Sequence, residues 1–208
     1  PSPLQSPPVP PAFQAFIDVV GAYIIGSIDF AVVVGRMHGV DIHQVGSGNP
    51  GTANVMRTLG RGPAAMVLVG DTLKGVIAAA LGMVVSGDPQ STLAVGAGLA
   101  AVVGHCFPLF HRFRGGKGVA TALGAVLFII PVGGLVLAAA WLIVVAISRI
   151  SALGSLTMAL AGVPVAIWQG LRGTTLIPLA LMFLLVIVRH RSNIQRLLAG
   201  EEHTVTRN

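Results

Sequence analysis

Two glycine-rich segments hold the side chains and backbone groups best suited to binding an anion. The first reads GSGNPGTANVMR over residues 46–57, and the second reads RFRGGKG over residues 112–118. Glycine lets the backbone approach a ligand closely, and exposed N–H groups beside Arg or Lys suit a phosphate. Neither segment is a P-loop, because the pattern G-x-x-x-x-G-K-[ST] does not occur. Two such segments in one chain indicate an enzyme that handles two phosphorylated molecules.

The first segment combines neutral hydrogen-bond donors with one cation. Ser47, Asn49, Thr52 and Asn54 can donate to oxygen. Arg57 can hold a phosphate through two parallel hydrogen bonds. The alternative is a tight turn whose polar groups merely cap the neighbouring helices. The pattern leaves both phosphate binding and helix capping open.

In the second segment, Gly115 and Gly116 directly precede Lys117 at the predicted start of an apolar helix. A helix N-terminus presents unpaired N–H groups and a partial positive charge. The full charge of Lys117 is unfavourable there unless an anion binds, which indicates an anion site. Arg112 and Arg114 fit equally well as basic residues that anchor the chain at the cytoplasmic face of a membrane.

A third polar cluster, RHRSNIQRLLAGEE over residues 189–202, follows the last apolar run. His190 and Asn193 are three residues apart and therefore share one face of a helix. His190 can accept a proton or donate a hydrogen bond to phosphate. For Arg191 and Arg196, the sequence favours a basic segment that leaves the membrane with its charges in water.

The elements that must position these segments are membrane-spanning helices. Of the 208 residues, 54% are hydrophobic and 10% are charged, whereas about 25% charged residues is usual in a soluble domain. The apolar runs reach about 20 residues, enough to cross a hydrocarbon core of about 30 Å. We predict an all-α integral membrane protein of about seven spans, over residues 13–34, 63–85, 92–110, 119–130, 132–148, 151–169 and 174–188. We expect a disordered Pro-rich tail, residues 1–12, followed by a single membrane-embedded domain, residues 13–208.

Basic residues fall almost entirely on one side of this arrangement. Eleven of the thirteen Lys and Arg residues lie on one face, with Arg172 on the other and Lys74 inside a span. By the positive-inside rule, the N-terminus lies outside, the C-terminus is cytoplasmic, and all three polar segments meet at the cytoplasmic face. Five spans would give the same parity. The net charge of +6 therefore serves topology and anionic ligands, not nucleic-acid binding.

Ionisable residues inside the spans have two interpretations. Asp71 and Lys74 are three residues apart and can form an ion pair, which is costly in a membrane and often functional. Alternatively, Asp71 supports the first glycine-rich segment from behind, and Lys74 is structural. His105 is expected to be a packed, hydrogen-bonded histidine. The chain has one cysteine, Cys106, no metal-ligand spacing and no G-x-S-x-G motif, so we expect no metal, no cofactor and no covalent catalyst.

Taken together, these segments make the chain resemble the bacterial acyl-phosphate:glycerol-3-phosphate acyltransferases, the PlsY family. The resemblance runs from Gly26 to Glu202 and is carried by GSGNPGTANVMRTLG at 46–60, GHCFPLFHRFRGGKGVATALG at 104–124 and RHRSNIQRLLAGEE at 189–202. It implies a seven-helix membrane fold. It also implies transfer of a fatty acyl group from acyl phosphate to the sn-1 hydroxyl of glycerol 3-phosphate. The products would be 1-acylglycerol 3-phosphate (lysophosphatidic acid) and phosphate, in the first acylation of phospholipid synthesis.

The resemblance also implies the site residues, the partners and the location. By matching position, the catalytic residues are Ser47, Lys117 and His190. The substrate-binding residues are Ser27, Gly48, Asn49, Gly51, Asn54, Arg57, Gly115, Gly116, Gly118 and Asn193. The partners are acyl phosphate, glycerol 3-phosphate, membrane lipid and an upstream enzyme that forms acyl phosphate. The location is the bacterial inner membrane, with the site facing the cytoplasm.

Acyl phosphate is a mixed anhydride with a good leaving group, so direct attack by the glycerol hydroxyl needs no enzyme nucleophile. We expect Arg57, His190 and Asn193 to hold glycerol 3-phosphate. We expect the glycine-rich backbone, Ser47 and Lys117 to hold acyl phosphate. The proton goes either to His190 or, as the resemblance implies, to a substrate phosphate. A transporter of an organic phosphate is the alternative class, although the polar residues gather at one face and not at the membrane midplane.

Overall fold

The structure, a computed structural model, describes residues 10–205 and is entirely helical over that part of the chain. Its α-helices are α1 (Pro11–Gly26), α2 (Phe30–Met37), α3 (Thr52–Leu59), α4 (Arg61–Ser86), α5 (Thr92–Cys106), α6 (Val119–Ile129), α7 (Pro131–Ser148), α8 (Ser151–Trp168), α9 (Leu176–Arg189) and α10 (Arg191–Ala199). Short 3₁₀ turns at Leu109–His111 and Gly173–Thr175 precede α6 and α9. The all-α prediction is confirmed.

Within the described residues, five helical stretches are long and apolar enough to cross a membrane: Pro11–Met37, Arg61–Ser86, Thr92–His111, Pro131–Ser148 and Ser151–Trp168. A sixth candidate is Gly173–Arg189 with α10, which are bent by 52°. Helix α6 has 11 residues, a length of about 17 Å against a hydrocarbon core of about 30 Å. A helix lies at each of the seven predicted places, while seven full crossings and their orientation stay predictions.

The first predicted span is interrupted, not continuous. Asp29 caps α2, because its Oδ1 accepts hydrogen bonds from the backbone N–H groups of Ala31 and Val32, both at 3.1 Å. An aspartate in this position satisfies donors that lack a partner in the first turn of a new helix. At the N-terminus, residues 1–9 of the predicted tail lie outside the described residues, whereas Pro11 and Ala12 already belong to α1.

The apolar stretch around Pro131 forms two helices, in agreement with the separate predicted spans 119–130 and 132–148. Ile130 leaves the helical conformation with φ −138° and ψ 78°. Pro131 then starts α7, where its fixed φ suits the first helical position and its missing N–H removes no helical hydrogen bond. The short α6 is thereby separated from α7, and its N-terminus carries the second glycine-rich segment.

Small residues allow close packing of the helices that carry the polar segments. A Cβ on Gly26 of α1 would overlap the carbonyl of Ala101 in α5, and a Cβ on Gly75 of α4 would overlap the carbonyl of Thr121 in α6. Such contacts are typical of helices packed in membranes. Large apolar side chains instead cover the outside of the bundle, as the 80% exposure of Ile147 illustrates. An apolar exterior of this kind fits a lipid environment.

Candidate active site

The first loop, residues 46–51 ahead of α3, is held from inside by Asn54. This residue is 2% exposed. Its Oδ1 accepts from the N–H of Ser47 at 2.9 Å, and its Nδ2 donates to the carbonyls of Val45 and Ile42 at 3.0 and 3.3 Å. Gly48 closes the turn in the left-handed region with φ +68°. Since both ends of the Asn54 amide bind loop backbone, the structure favours a positioning role over the predicted substrate contact.

The second loop, residues 112–118 ahead of α6, is packed against the first loop and α5. The N–H of Gly116 donates to the carbonyl of His105 at 3.1 Å. A Cβ on Gly116 would lie 2.5 Å from the carbonyl oxygen of Pro50, in the first loop, and would also overlap the ring of His105. Only glycine at this position allows the two loops to approach so closely. Gly118, with φ +81°, then turns the chain into α6.

The structure brings the predicted polar side chains together from three distant parts of the chain. Arg57 Nη2 lies 3.5 Å from Ser47 Oγ. Lys117 Nζ donates to Asn193 Oδ1. Asn193 Nδ2 in turn donates to Glu202 Oε1 at 2.8 Å. The contact between Lys117 and Asn193 joins the second loop to α10, as expected if both serve one site.

Glu202 joins this cluster although the sequence did not place it in the site. Besides Asn193, it accepts a hydrogen bond from Arg196 Nε at 3.0 Å, and its side chain is 6% exposed. Arg191 is exposed as expected, whereas Arg196 is half-buried in this pair and is not a freely solvated charge. In the sequence, the only indication of this role is a pair of acidic residues at the end of the basic segment 189–202. Whether Glu201 or Glu202 turns inward depends on how the chain returns after α10.

His190 lies at the bend between α9 and α10 and is 2% exposed. Its Nδ1 is 2.7 Å from the carbonyl of Val186. Because a carbonyl only accepts, Nδ1 carries the proton, and Nε2 is left as an acceptor in the neutral ring. Burial lowers the pKa of His190 to about 4, against the opposing hydrogen bond to Val186. The neutral ring is suited to orient a substrate hydroxyl but is a weak base at neutral pH.

The site carries an excess of positive charge. Burial lowers the pKa of Lys117 to about 8; Glu202 opposes the decrease, whereas Arg196, Arg57 and Arg189 add to it. Burial likewise lowers the pKa of Arg57. Three arginines thus act on Lys117, against the single carboxylate of Glu202. A dianionic ligand would relieve their mutual repulsion, which is the electrostatic condition of a phosphate site.

Two cavities lie at the site, one lined by Ser47 and the other by Arg57. One, of about 430 Å³, is lined by both loops and by the end of α9: His43, Ser47, Gly48, Asn49, Pro50, Phe113, Arg114, Gly115 and Arg189. The other, of about 470 Å³, is lined by residues 56–61 and Val205. Each contains arginines, and each is large enough for a phosphorylated headgroup. Paired cavities fit a protein that handles two anionic molecules.

One predicted binding residue lies elsewhere. Ser27 is completely buried, and its hydroxyl donates to the carbonyl of Tyr23 at 2.9 Å, one turn back in α1. It lines neither of the two cavities, and neither do Lys117, His190 and Asn193. A serine that returns its hydroxyl to its own helix fills a local hydrogen-bonding need. In this structure Ser27 stabilises the end of α1, and its predicted role as a phosphate ligand stays a prediction.

Asp71 and Lys74 form the buried ion pair that was one of the two alternatives, with Oδ1 and Nζ 2.7 Å apart and each residue 2% exposed. Lys74 Nζ also donates to the carbonyl of Ile28 at 2.8 Å, at the break between α1 and α2. Asp71 does not support the first loop; its Oδ1 lies 3.5 Å from His105 Nδ1, behind the second loop. Within residues 10–205, no group of three His, Cys, Asp or Glu side chains is arranged for a metal ion. The expectation that no metal takes part stays a prediction.

An all-helical bundle with membrane-spanning helices and a cationic site formed by its loops defines a class: an integral membrane protein suited to phosphorylated ligands. The model of the family described as glycerol-3-phosphate acyltransferase matches residues 16–200. The enzyme of that name from Thioalkalivibrio sulfidiphilus is 47% identical over 186 residues, which cover 88% of this chain and 90% of the relative. The one from Sinorhizobium medicae is 44% identical over 188 residues, or 90% of each chain. The chain belongs to the glycerol-3-phosphate acyltransferase family.

Solved structures agree with this assignment. The chain is similar to the crystal structure of PlsY (YgiH), an integral membrane glycerol 3-phosphate acyltransferase, in its glycerol 3-phosphate form. The TM-score is 0.86 at 39% identity, over 91% of this chain and 94% of the other. The lysophosphatidic acid form of the same protein matches with a TM-score of 0.84. The resemblance seen in the sequence is confirmed, and the chain is an integral membrane acyltransferase, so the transporter alternative is not retained.

Proposed function

We propose that this enzyme transfers a fatty acyl group from acyl phosphate to the sn-1 hydroxyl of glycerol 3-phosphate. The products are 1-acylglycerol 3-phosphate and inorganic phosphate. The observation that carries the proposal is the contact between the two glycine-rich loops at Pro50 and Gly116, beside a cavity that both loops line. Backbone N–H groups and cations there suit one phosphate, while Arg57 reaches a second cavity that suits another.

In this proposal, the second loop and Ser47 bind the phosphate of acyl phosphate. The N–H groups of residues 117 and 118 lie just ahead of α6, where the helix dipole adds further positive potential. Lys117 contributes a full charge close to both substrates. As the acyl–oxygen bond breaks, negative charge develops on the leaving phosphate, and these fixed donors stabilise it. The fatty acyl tail lies in the apolar surroundings between the helices, open to lipid.

Glycerol 3-phosphate is held by Arg57, His190 and Asn193. Arg57 binds the substrate phosphate with its planar guanidinium. The unprotonated Nε2 of His190 accepts a hydrogen bond from the attacking hydroxyl and aligns it with the acyl carbonyl. Asn193 is fixed by Glu202 on one side and by Lys117 on the other, so it has little freedom when substrate binds. Alignment of this kind can supply several kcal/mol of the barrier reduction.

The reaction balances without a covalent enzyme intermediate. The glycerol oxygen forms a bond to the carbonyl carbon, the bond from that carbon to the phosphate oxygen breaks, and inorganic phosphate leaves. The hydroxyl proton moves to a phosphate oxygen, since His190 has its pKa lowered to about 4 and is a weak base. Among residues 10–205, Ser47 Oγ has Arg57 and no base as its partner, and Cys106 is completely buried, so neither is set up as a nucleophile.

The cellular setting of the proposal is the inner membrane of a bacterium, with the site facing the cytoplasm. This orientation is supported by the distribution of basic residues, because eleven of the thirteen Lys and Arg residues fall on one face by the positive-inside rule. Glycerol 3-phosphate then enters from water, and acyl phosphate enters along the membrane. An upstream enzyme that forms acyl phosphate must supply the donor.

A donor-choice assay on purified protein in detergent tests the proposal. Glycerol 3-phosphate is offered with a long-chain acyl phosphate or with the matching acyl-CoA, and both phosphate release and lipid product are followed. We expect one phosphate released per 1-acylglycerol 3-phosphate formed, only with acyl phosphate. Lys117→Ala should abolish transfer, while Arg191→Gln, an exposed neighbour of the site, should not. Transfer from acyl-CoA at a comparable rate would reject the proposed donor, and acylation at the sn-2 hydroxyl would reject the proposed regiochemistry.

A further inference from the structure

We propose that Arg189 is a positioning residue for acyl phosphate. Its guanidinium fixes the backbone of the second loop so that the N–H group of Lys117 faces the phosphate. The inference rests on the proposed function, because it takes acyl phosphate as the donor. The sequence marks Arg189 only as one of several basic residues that end the last apolar run. The structure gives it contacts that its neighbours lack.

Arg189 binds the second loop through two carbonyl groups. Its Nη2 donates to the carbonyl of Gly115 at 2.8 Å, and its Nε donates to the carbonyl of Gly116 at 3.1 Å. The guanidinium carbon also lies 5.1 Å from the centroid of the Phe107 ring, within range of a cation–π interaction. Two hydrogen bonds and a stacked ring hold the planar group in one orientation. A lysine could not reproduce this arrangement.

The direction of these carbonyls decides where the loop's N–H groups point. In a trans peptide, a carbonyl and the N–H that follows it point in opposite directions, and the described chain has no cis peptide bond. With the Gly115 carbonyl on Arg189, the Gly116 N–H points the other way and meets the carbonyl of His105 at 3.1 Å. With the Gly116 carbonyl on Arg189, the Lys117 N–H points away from the guanidinium. In residues 10–205 that N–H has no protein acceptor.

Glycine makes this restraint necessary. A Gly-Gly pair has access to both signs of φ, so the peptide between Gly116 and Lys117 can rotate about its flanking bonds in the absence of a partner. Rotation by half a turn would replace a donor with a carbonyl oxygen directed at a dianion. Arg189 holds the productive orientation by occupying both carbonyls. Because Arg189 directly precedes His190, the same turn of chain positions the donor on one side and glycerol 3-phosphate on the other.

Steady-state kinetics with both substrates varied test the inference, using purified full-length protein in detergent. The variants are Arg189→Gln, which removes the charge and the fork, and Arg189→Lys, which keeps the charge but not the paired hydrogen bonds. Arg191→Gln is the matched control. We expect Arg189→Gln to lower kcat/KM for acyl phosphate by about 100-fold, the usual effect of losing an oriented donor. The KM for glycerol 3-phosphate should stay within about twofold of the wild-type value. For Arg189→Lys, kcat/KM for acyl phosphate should lie between the values of the wild type and of Arg189→Gln.

A thermal-shift measurement separates this positioning role from general damage to the fold. Glycerol 3-phosphate should bind to the folded protein and raise its thermal unfolding midpoint. That rise should be retained in Arg189→Gln. The inference is overturned if Arg189→Gln keeps wild-type kinetics toward acyl phosphate, if Arg189→Lys is fully active, or if both KM values rise together. If Arg189→Gln does not fold, Arg189→Lys decides by the same measurements. A wild-type protein that releases no phosphate from acyl phosphate would overturn the proposed function itself, which is a distinguishable result.

Discussion

The burial of Lys117 makes the enzyme sensitive to alkaline pH. Its pKa is lowered to about 8, mainly by burial, so the cation is lost in the free enzyme at a pH where an ordinary lysine stays charged. The protonated fraction is about 0.9 at pH 7 and about 0.1 at pH 9, so kcat/KM should fall roughly tenfold over that interval. No other group in the proposed mechanism titrates there, because His190 has a pKa near 4 and substrate phosphates lose their second proton at about pH 6.

Bound substrate should shift the alkaline limb of the pH–rate profile, the range over which activity falls as Lys117 loses its proton. A dianion beside Lys117 favours the charged amine, and one unit charge at about 4 Å contributes about 4 kcal/mol at an effective dielectric of about 20. That energy corresponds to a rise in the pKa of Lys117 of about 3. The alkaline limb should therefore appear in kcat/KM near pH 8 but be displaced above pH 10 in kcat. Phosphate release, corrected at each pH for spontaneous hydrolysis of acyl phosphate, measures both parameters.

Replacement of the lysine by arginine provides the matched control. Arginine stays charged throughout this range, so Lys117→Arg should lose the limb near pH 8 even if its activity is low. An unchanged limb in Lys117→Arg would assign the titration to another group. A wild-type kcat/KM that is flat from pH 7 to pH 9 would show that burial does not lower the pKa of Lys117.

Three further predictions concern the support of the site. Asn54→Ala removes three hydrogen bonds, one to Ser47 in the first loop and two to the carbonyls of Ile42 and Val45 just before it. It should lower the free energy of unfolding by about 1–3 kcal/mol and also lower kcat; an unchanged thermal midpoint and kcat would contradict its positioning role. Gly116→Ala forces a Cβ against the Pro50 carbonyl and should reduce kcat/KM by at least about 100-fold. Gly96→Ala, with open space around it, should leave kcat/KM unchanged and alter stability by less than about 1 kcal/mol; an equal loss of kcat/KM in the two variants would exclude the steric explanation. Asp71→Ala leaves Lys74 buried without its carboxylate partner and should lower the free energy of unfolding by about 3–5 kcal/mol. The double variant Asp71→Ala with Lys74→Met should lose less; a double variant less stable than the single one would show that the unpaired Lys74 charge does not cause the loss.

Much of the architecture could be predicted because it follows from local physical rules. Apolar runs with few charges locate the helices, and Pro131 with the glycines after it marks a break. The glycine-rich loops are evident since a close backbone approach needs residues without a Cβ, as the overlap at Gly116 shows. Their position next to basic residues, together with the positive-inside rule, leads to an anion site at one membrane face.

The roles that could not be predicted depend on which way a side chain turns after the chain folds. Asn54 has the chemistry of a ligand, but α3 directs it back into its own loop. Ser27 precedes a helix break caused by Asp29, so its hydroxyl returns to α1. Glu202 reaches Asn193 only because the chain folds back after α10. Each of these contacts is set by backbone direction at a turn, which hydropathy and spacing do not encode.

The central claim is that the site works by position and charge, with direct transfer between two bound phosphorylated substrates. Intact-mass analysis of the purified enzyme after rapid mixing with acyl phosphate, in the absence of glycerol 3-phosphate, tests this claim most directly. We expect the protein mass to stay unchanged and no burst of phosphate equal to the enzyme concentration to be released. Addition of glycerol 3-phosphate should then yield phosphate and 1-acylglycerol 3-phosphate in equal amounts. A mass increase of one acyl group, with a matching phosphate burst, would contradict the account and require a covalent catalyst in the site.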